Sequence, residues 1–576
     1  MYDSATNAAT EYEKVRRIFA ILNGEAEADL LLTNLNILDV HGETVYHGSI
    51  LVHDQRIIAL NPDAEAIKVR DTFDGQGLYA IPGLIDAHLH FESQLAHPTA
   101  LAEAMVPCGT TTIYAECLDL LSAAGEQGAE VARGLFRDYD RLPYRLFAFA
   151  PGKKTSAEVT RAVLDMEPVI GLGEFEHFTY SSGDEDDFRK AAWVREKGGF
   201  MNGHWGVTAL SDMVLNYLPA IGVSNNHDVW TGDDIEKSIR YGFPTHIKFG
   251  VGSNEVIKTL LRAIVNRKFP TDNFMLCTDN ISVQRLQNQG HMDWIISLCA
   301  EMGIDPIKAI KMATLNTARS FHMDDKLGSL TPGRYADIVL TDSLSRIKPL
   351  YVFKDGVLVA QGGKLLQNAR IDYSAMRTPA VPGLDDLRAE DLDIVPLEID
   401  GDRAKVILFD VYGRGHARFN QEVWVPYRNG KVVPELDGQP LSRLSVVQRY
   451  ADGPRHVVNG LFKGVNIQRG AVATFWPAPK PYFVAVGQDS DEMAFCLKQV
   501  DQYSGACIVS EGHRVTSVLP LEIHGVMADM DLDELNTRTS AIDAALAQLG
   551  NRNEGEPVVN KLLSLFISLH RFRFLE

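Results

Sequence analysis

Between Ile81 and Gly328 the chain repeats one alternation, a short apolar run followed by a stretch with helical spacing. The strand-like runs include Leu84-Ile85-Asp86-Ala87, Thr110 to Ala115, Leu146 to Ala150, Val169 to Gly173, Gly222-Val223-Ser224 and Met275-Leu276-Cys277. Helical patterns such as Ala124 to Tyr139 and Ser156 to Asp165 separate them. Alternation sustained over about 250 residues places the segment in the α/β class, as a (β/α)₈ TIM-like barrel or a doubly wound sheet.

The flanks read differently. Residues 1–24 form a helical segment, with Tyr12, Val15, Ile18, Phe19 and Leu22 at helical spacing. Residues 25–80 carry short apolar runs broken by His41-Gly42 and His53-Asp54, the pattern of a small β domain. Residues 329–370 return to β character at Ala336 to Leu340, Leu350 to Phe353 and Gly356 to Ala360. The two β segments are expected to form one domain split around the segment 81–328. Residues 371–392, rich in Pro, Asp and Glu, read as a linker. Residues 393–576 read as a C-terminal α/β domain whose late helix aligns Leu532, Leu535, Ile542, Leu546 and Leu549.

Composition narrows the function. A net charge of −20 argues against binding a nucleic acid polymer, which needs clustered Lys and Arg. The six cysteines lie far apart with no CxxC pair, so reduced thiols in a cytoplasmic protein are expected. No apolar run approaches the roughly 18 residues of a membrane span. The first 17 residues are polar and charged, unlike a signal peptide.

The strongest local signal is Pro82-Gly83-Leu84-Ile85-Asp86-Ala87-His88-Leu89-His90. In a strand, residues i and i+2 face the same side, so His88 and His90 can bind one metal at the strand's C-terminal end. Barrel enzymes place their sites at that end. Glu174, His204, His227 and Asp279 each follow a later strand-like run. A lone His or Asp there is commonly a surface or helix-capping residue. Six in order, on five strand ends, point to a metal centre. Four His and two carboxylates suit two divalent ions such as Mn²⁺, Fe²⁺ or Zn²⁺, with Glu174 as the candidate bridge. Asp279 is also the catalytic candidate, as acceptor of the proton of an attacking water.

With these motifs in view, the chain resembles the amidohydrolase superfamily, and in detail its adenine deaminase family. The resemblance rests on residues 81–97, Gly109-Thr110-Thr111-Thr112, Gly171-Leu172-Gly173-Glu174, Gly203-His204, Leu276-Cys277-Thr278-Asp279, Gly290-His291-Met292-Asp293, Met312 to Asn316 and Pro332 to Asp337. Gly464 to Gly470 and Asp489 to Met493 resemble that family's extra C-terminal domain. The resemblance runs from about residue 25 to the end. It implies the barrel, the two-metal site and hydrolytic deamination of a purine or related heterocycle. The cytidine-type alternative fails, because His90-Phe91-Glu92 has no P-C-x-x-C after it.

Several motifs depart from the family. Its A-D-P-H-E is here Ala115-Glu116-Cys117-Leu118-Asp119, and its S-S-D-H-E is Ser224-Asn225-Asn226-His227-Asp228. Its R-E-G-S is Gly250-Val251-Gly252-Ser253, its T-D-D is Thr278-Asp279-Asn280, and its H-D-S-H is Ala478-Pro479-Lys480-Pro481. All six ligand candidates persist while polar pocket residues do not, so a heterocycle other than adenine is expected. Hydrolysis of a cyclic amide or lactam C–N bond is the alternative. Glu92, Glu116, Asp119 and His291 are the substrate-binding candidates. A homo-oligomer acting on a small molecule is expected.

Overall fold

The computed structural model describes residues 10–250, 254–411, 417–448, 455–476, 482–552 and 558–562. Eight parallel strands follow one another around a barrel in chain order: Leu84–His90, Thr110–Glu116, Arg145–Ala150, Val169–Phe175, Phe200–Gly203, Asn225–Asn226, Thr245–Lys248 and Phe274–Cys277. The ends of the sheet meet where Asp279 N–H donates to the His88 carbonyl at 2.8 Å, in a parallel bridge between Leu89 and Asp279. Strand pairing thus selects the barrel over the doubly wound sheet. The sixth strand lies at Asn225–Asn226, just beyond the run Gly222-Val223-Ser224. The seventh has no apolar signature. Thr245-His246-Ile247-Lys248 alternates two titratable side chains with smaller or apolar ones, and all four residues are buried.

Nine strands form a second sheet that the chain enters twice. Tyr79–Pro82, just before the barrel, pairs antiparallel with Ile338–Thr341, just after it. Leu32, Ile37, Ile50, Val52, Ile57, Ile338, Leu340 and Phe353 fill the sheet's core. The N-terminal helix spans Glu11–Leu22 and opens on a capping box between Thr10 and Glu13. Its buried residue is Ile21, whereas Tyr12, Val15, Ile18, Phe19 and Leu22 are exposed. The helical spacing therefore holds, but that apolar face is exposed among the described residues. Residues 1–9 of the expected helical segment lie outside the described residues.

The C-terminal part builds a ten-stranded, mostly antiparallel sheet backed by helices Ser490–Val500 and Leu532–Gln548. Leu532, Leu535, Ile542 and Leu546 are buried along the second helix. The acidic stretch 371–392 lies against this sheet. Leu384, Leu387 and Leu392 are buried with Phe475, Phe483 and Leu497, and Asp501 accepts from the Gly383 and Leu384 amides. This part also reaches the barrel mouth, where Ala528 N–H donates to Leu95 O and Asn560 Nδ2 to Ser93 O. Among the described residues, no helix is long and apolar enough to cross a membrane.

Arg145, at the start of the third barrel strand, fastens the barrel floor to the split sheet. Its guanidinium lies 3.7 Å from the Tyr335 ring centroid, with Arg56 at 3.5 Å from the same ring. Arg145 also pairs with Asp355 at 2.5 Å and Asp337 at 3.7 Å, and these three side chains are largely buried. Removing one partner of a buried pair leaves an uncompensated charge. Arg145→Ala is therefore expected to lower stability in urea unfolding by about 3–5 kcal/mol. Arg56→Ala, which removes mainly the ring contact, should cost about 0.5–1 kcal/mol. Equal losses at the two positions would show that the aspartates contribute nothing.

Candidate metal centre

The first strand sets the site. Alternation turns Asp86, His88 and His90 to one side, and all three are buried. Asp86 serves as an anchor. It accepts from the His88 and Thr278 amides at 3.1 Å each and from Thr278 Oγ1 at 2.5 Å, and it lies 3.1 Å from His291 Nε2. The opposite ring nitrogen of His291 is 2.7 Å from Thr110 Oγ1. Both ring nitrogens of His291 are thus engaged by protein, and its placement is that of a support for Asp86 rather than a contact for substrate.

Above Asp86 the six ligand candidates converge. His88 Nε2 and His90 Nε2 are 3.1 Å apart, and Asp279 Oδ1 lies 4.0 and 3.7 Å from them. His204 Nδ1 and His227 Nε2 are 2.8 Å apart. A single oxygen, Glu174 Oε1, lies 3.3 Å from His90, 3.1 Å from His204 and 3.4 Å from His227. Two sets, His88/His90/Asp279 and His88/Glu174/His227, each bring their donor atoms within 4.8 Å of one another. Asp279 Oδ1 is buried with no hydrogen-bond partner among the described residues. A buried anionic oxygen beside imidazole lone pairs is the environment that a cation completes, so the donor set fits a divalent metal.

The electrostatics divide the four imidazoles, with His88 and His227 lowered and His90 and His204 raised. Burial holds the His88 imidazole well below its ordinary pKa, and neighbouring His227 and His90 push the same way. Burial also lowers His227. Neutral rings are the form that ligates. For His90, burial is overcome by the hydrogen bond and charge of Glu174, and its pKa rises to about 10. Glu174, against its own burial, is kept well below the usual carboxylate range by His204 and Lys153.

Two lysines that the sequence reading passed over reach this centre. Lys153 Nζ is 2.8 Å from Glu174 Oε2 and 2.5 Å from Glu176 Oε1. Lys248 Nζ is 2.8 Å from Asp228 Oδ1 and 3.4 Å from Asp279 Oδ2. The signal for Lys248 was its place two residues after His246 on one short strand. Lys153 follows the third strand in Pro151-Gly152-Lys153-Lys154, which reads as an ordinary solvated turn.

The remaining substrate candidates divide. Glu116, ending the second strand, accepts from the Glu174 amide at 3.0 Å and lies 3.6 Å from His88 Nδ1. Gly173 makes room for it, since a Cβ there would sit 2.4 Å from the carboxyl carbon of Glu116. Glu92 accepts from the Leu120 amide at 2.9 Å. Burial pushes both glutamates up to about 7. Asp119 pairs with Lys154 at 2.9 Å. Residues 251–253 and 478–481, which carry two of the motif departures, lie outside the described residues.

Residues 418–569 match the adenine deaminase C-terminal domain, and residues 252–359 match the amidohydrolase family. An adenine deaminase of Desulforamulus reducens is 32% identical over 540 residues, covering 92% of this chain and 90% of that protein. An adenine deaminase of Paracoccus denitrificans is 29% identical over 575 residues, covering 96% and 94%. One from Kosmotoga olearia is 26% identical over 546 residues, covering 92% and 91%. The similarity spans the barrel, the split sheet and the C-terminal part together, and the chain belongs to the adenine deaminase family.

Proposed function

We propose that this chain is a metal-dependent aminohydrolase that releases ammonia from an aminated purine or a closely related nitrogen heterocycle. The observation that supports it most is the convergence of Glu174 Oε1 on three imidazoles drawn from three strand ends. His88, His90 and Asp279 would hold one divalent ion and Glu174, His204 and His227 a second, with Glu174 shared. Mn²⁺, Fe²⁺ and Zn²⁺ all suit these donors. When bound, such ions supply Lewis acidity and make a water acidic near neutral pH.

The chain's own groups do the rest. Asp279 Oδ1, facing His88 and His90, accepts the proton of the attacking water and can deliver it to the departing amine. Glu92 and Glu116, both buried beside the centre, are the carboxyls we assign to a ring nitrogen of the substrate. All six cysteines are free, which suits a reducing cytoplasm.

A specific feature favours a ring other than adenine. Gly250 stands where the family motif has Arg, and a Cβ there would lie 2.1 Å from the Thr278 carbonyl oxygen. Cys117 and Leu118, both buried, stand where the motif has Pro and His. A pocket that loses hydrogen-bonding side chains loses discrimination in favour of the ligand they served. The same losses favour the second reading, hydrolysis of a cyclic amide C–N bond.

Protein loaded with Mn²⁺ or Fe²⁺ and then desalted is expected to retain close to two ions per chain by elemental analysis. His88→Ala and His204→Ala should each retain less metal and lose turnover by about 10³-fold or more, with the barrel still folded. Carefully loaded protein without transition metal would sink the metal reading.

A panel of aminopurines, aminopterins and cyclic amides, followed by ammonia release and by ring opening, separates the two reactions. Ammonia from an aminated ring is expected, with kcat/KM for adenine below the common range of about 10⁴–10⁸ M⁻¹s⁻¹ and a better value for another ring. Adenine within that range and unsurpassed would show the pocket substitutions to be neutral. Ring opening without ammonia would favour the cyclic amide.

A further inference from the structure

Lys248 ends the seventh barrel strand and is only 5% exposed. An ammonium has three donors and no acceptor. Here Nζ donates to Asp228 Oδ1 at 2.8 Å, forms an ion pair with Asp279 Oδ2 at 3.4 Å and lies 4.5 Å from the centroid of the Trp230 ring. Trp230 Nε1 donates to the same Asp228 oxygen at 2.7 Å, so the anchor of the lysine is itself anchored.

Asp279 has one freedom left to restrain. Its backbone sits in the left-handed region at φ 56°, and its N–H is committed to the His88 carbonyl. The main chain is thereby fixed, but the carboxylate turns about a broad, roughly two-fold torsion. The two flipped states of a carboxylate are equivalent, so a cation beside one oxygen acts by narrowing this broad torsion. With Lys248 on Oδ2, Oδ1 faces His88 Nε2 and His90 Nε2. Two positions further along, a Cβ on Gly250 would lie 2.1 Å from Thr278 O.

We propose that Lys248 is a positioning residue that pins the outer oxygen of Asp279, holding the inner oxygen toward the paired histidines, and that Asp228 and Trp230 hold Lys248 in place. This rests on Asp279 as ligand and proton acceptor. Lys248 is assigned no contact with a reacting atom: it donates to Asp228 and acts on Asp279 as an ion pair.

The test uses full-length Asp228→Asn, Lys248→Met and the double variant Lys248→Met/Asp228→Asn, which removes both members of the buried pair. Metal content, the visible absorption of the cobalt-loaded protein and steady-state kinetics on the best substrate are measured for each. The double variant is expected to bind metal as the parent does, to shift the cobalt absorption bands, and to lose about 100-fold in kcat with KM changed less than about threefold. Asp228→Asn, which loosens the lysine without removing it, should lose about tenfold in kcat, with a smaller shift of the same bands.

A folded, metal-replete double variant with parental kcat and cobalt spectrum overturns the proposal. Loss of metal in every variant overturns it too, because Lys248 would then be needed to assemble the centre rather than to orient one ligand. If the variants lacking Lys248 do not fold, Asp228→Asn decides by the same two readouts. A parent protein that turns over no heterocycle counts against the proposed function, while the cobalt spectra still report on the orientation of Asp279.

Discussion

One hydrogen bond joins the ends of the barrel, from the Asp279 amide to the His88 carbonyl. The residues on either side of it carry donors of the candidate centre. Closing the cylinder and assembling half of the metal site are therefore one event. The Asp86 carboxylate reinforces this seam from below by accepting from both strands at once, through the His88 amide and the Thr278 amide and hydroxyl. A buried carboxylate with this many donors is satisfied only when the first and eighth strands are in register. The fold thus enforces the spacing of His88, His90 and Asp279.

Around that seam the protein handles buried charge with a repeated device. Each candidate ligand carboxylate has one oxygen toward imidazoles and the other toward a lysine. Glu174 gives Oε1 to His90, His204 and His227 and Oε2 to Lys153. Asp279 gives Oδ1 to His88 and His90 and Oδ2 to Lys248. Each lysine is in turn held by a second carboxylate, Glu176 or Asp228. An isolated buried ion costs several kcal/mol, roughly, so such chains of alternating charge are how a polar centre persists inside an apolar shell. They also preorganise the donors before anything binds.

Much of this was legible in the sequence because it depends on periodicity. The alternation from Ile81 to Gly328 announces strands and helices, and the i, i+2 spacing of His88 and His90 announces a shared face. Periodicity fails where a strand is short and polar. Thr245-His246-Ile247-Lys248 carries no apolar run, because its inward side chains are titratable and its burial comes wholly from tertiary context. Lys153 escaped for a related reason. Only the fold reveals that a lysine in a Gly-Lys-Lys turn faces the barrel mouth. The N-terminal helix shows the converse, since spacing predicted a helix correctly but could not say that its apolar face stays exposed. His291 was visible as part of a motif, yet its support of Asp86 depends on a partner some two hundred residues away in sequence.

The antiparallel pairing of Tyr79–Pro82 with Ile338–Thr341 has a consequence for biosynthesis. The barrel is a guest inserted between neighbouring strands of a host sheet, so the host cannot finish until the whole guest has left the ribosome. At about 5–20 residues per second, the edge at Tyr79–Pro82 waits on the order of tens of seconds for its partner. An unpaired edge of this kind is a template for pairing with other chains. Pro82, which has no amide hydrogen to offer such a partner, stands at the end of that edge. Once the guest has folded, its two ends are delivered to adjacent places in the host, and completing the sheet becomes a local step rather than a search.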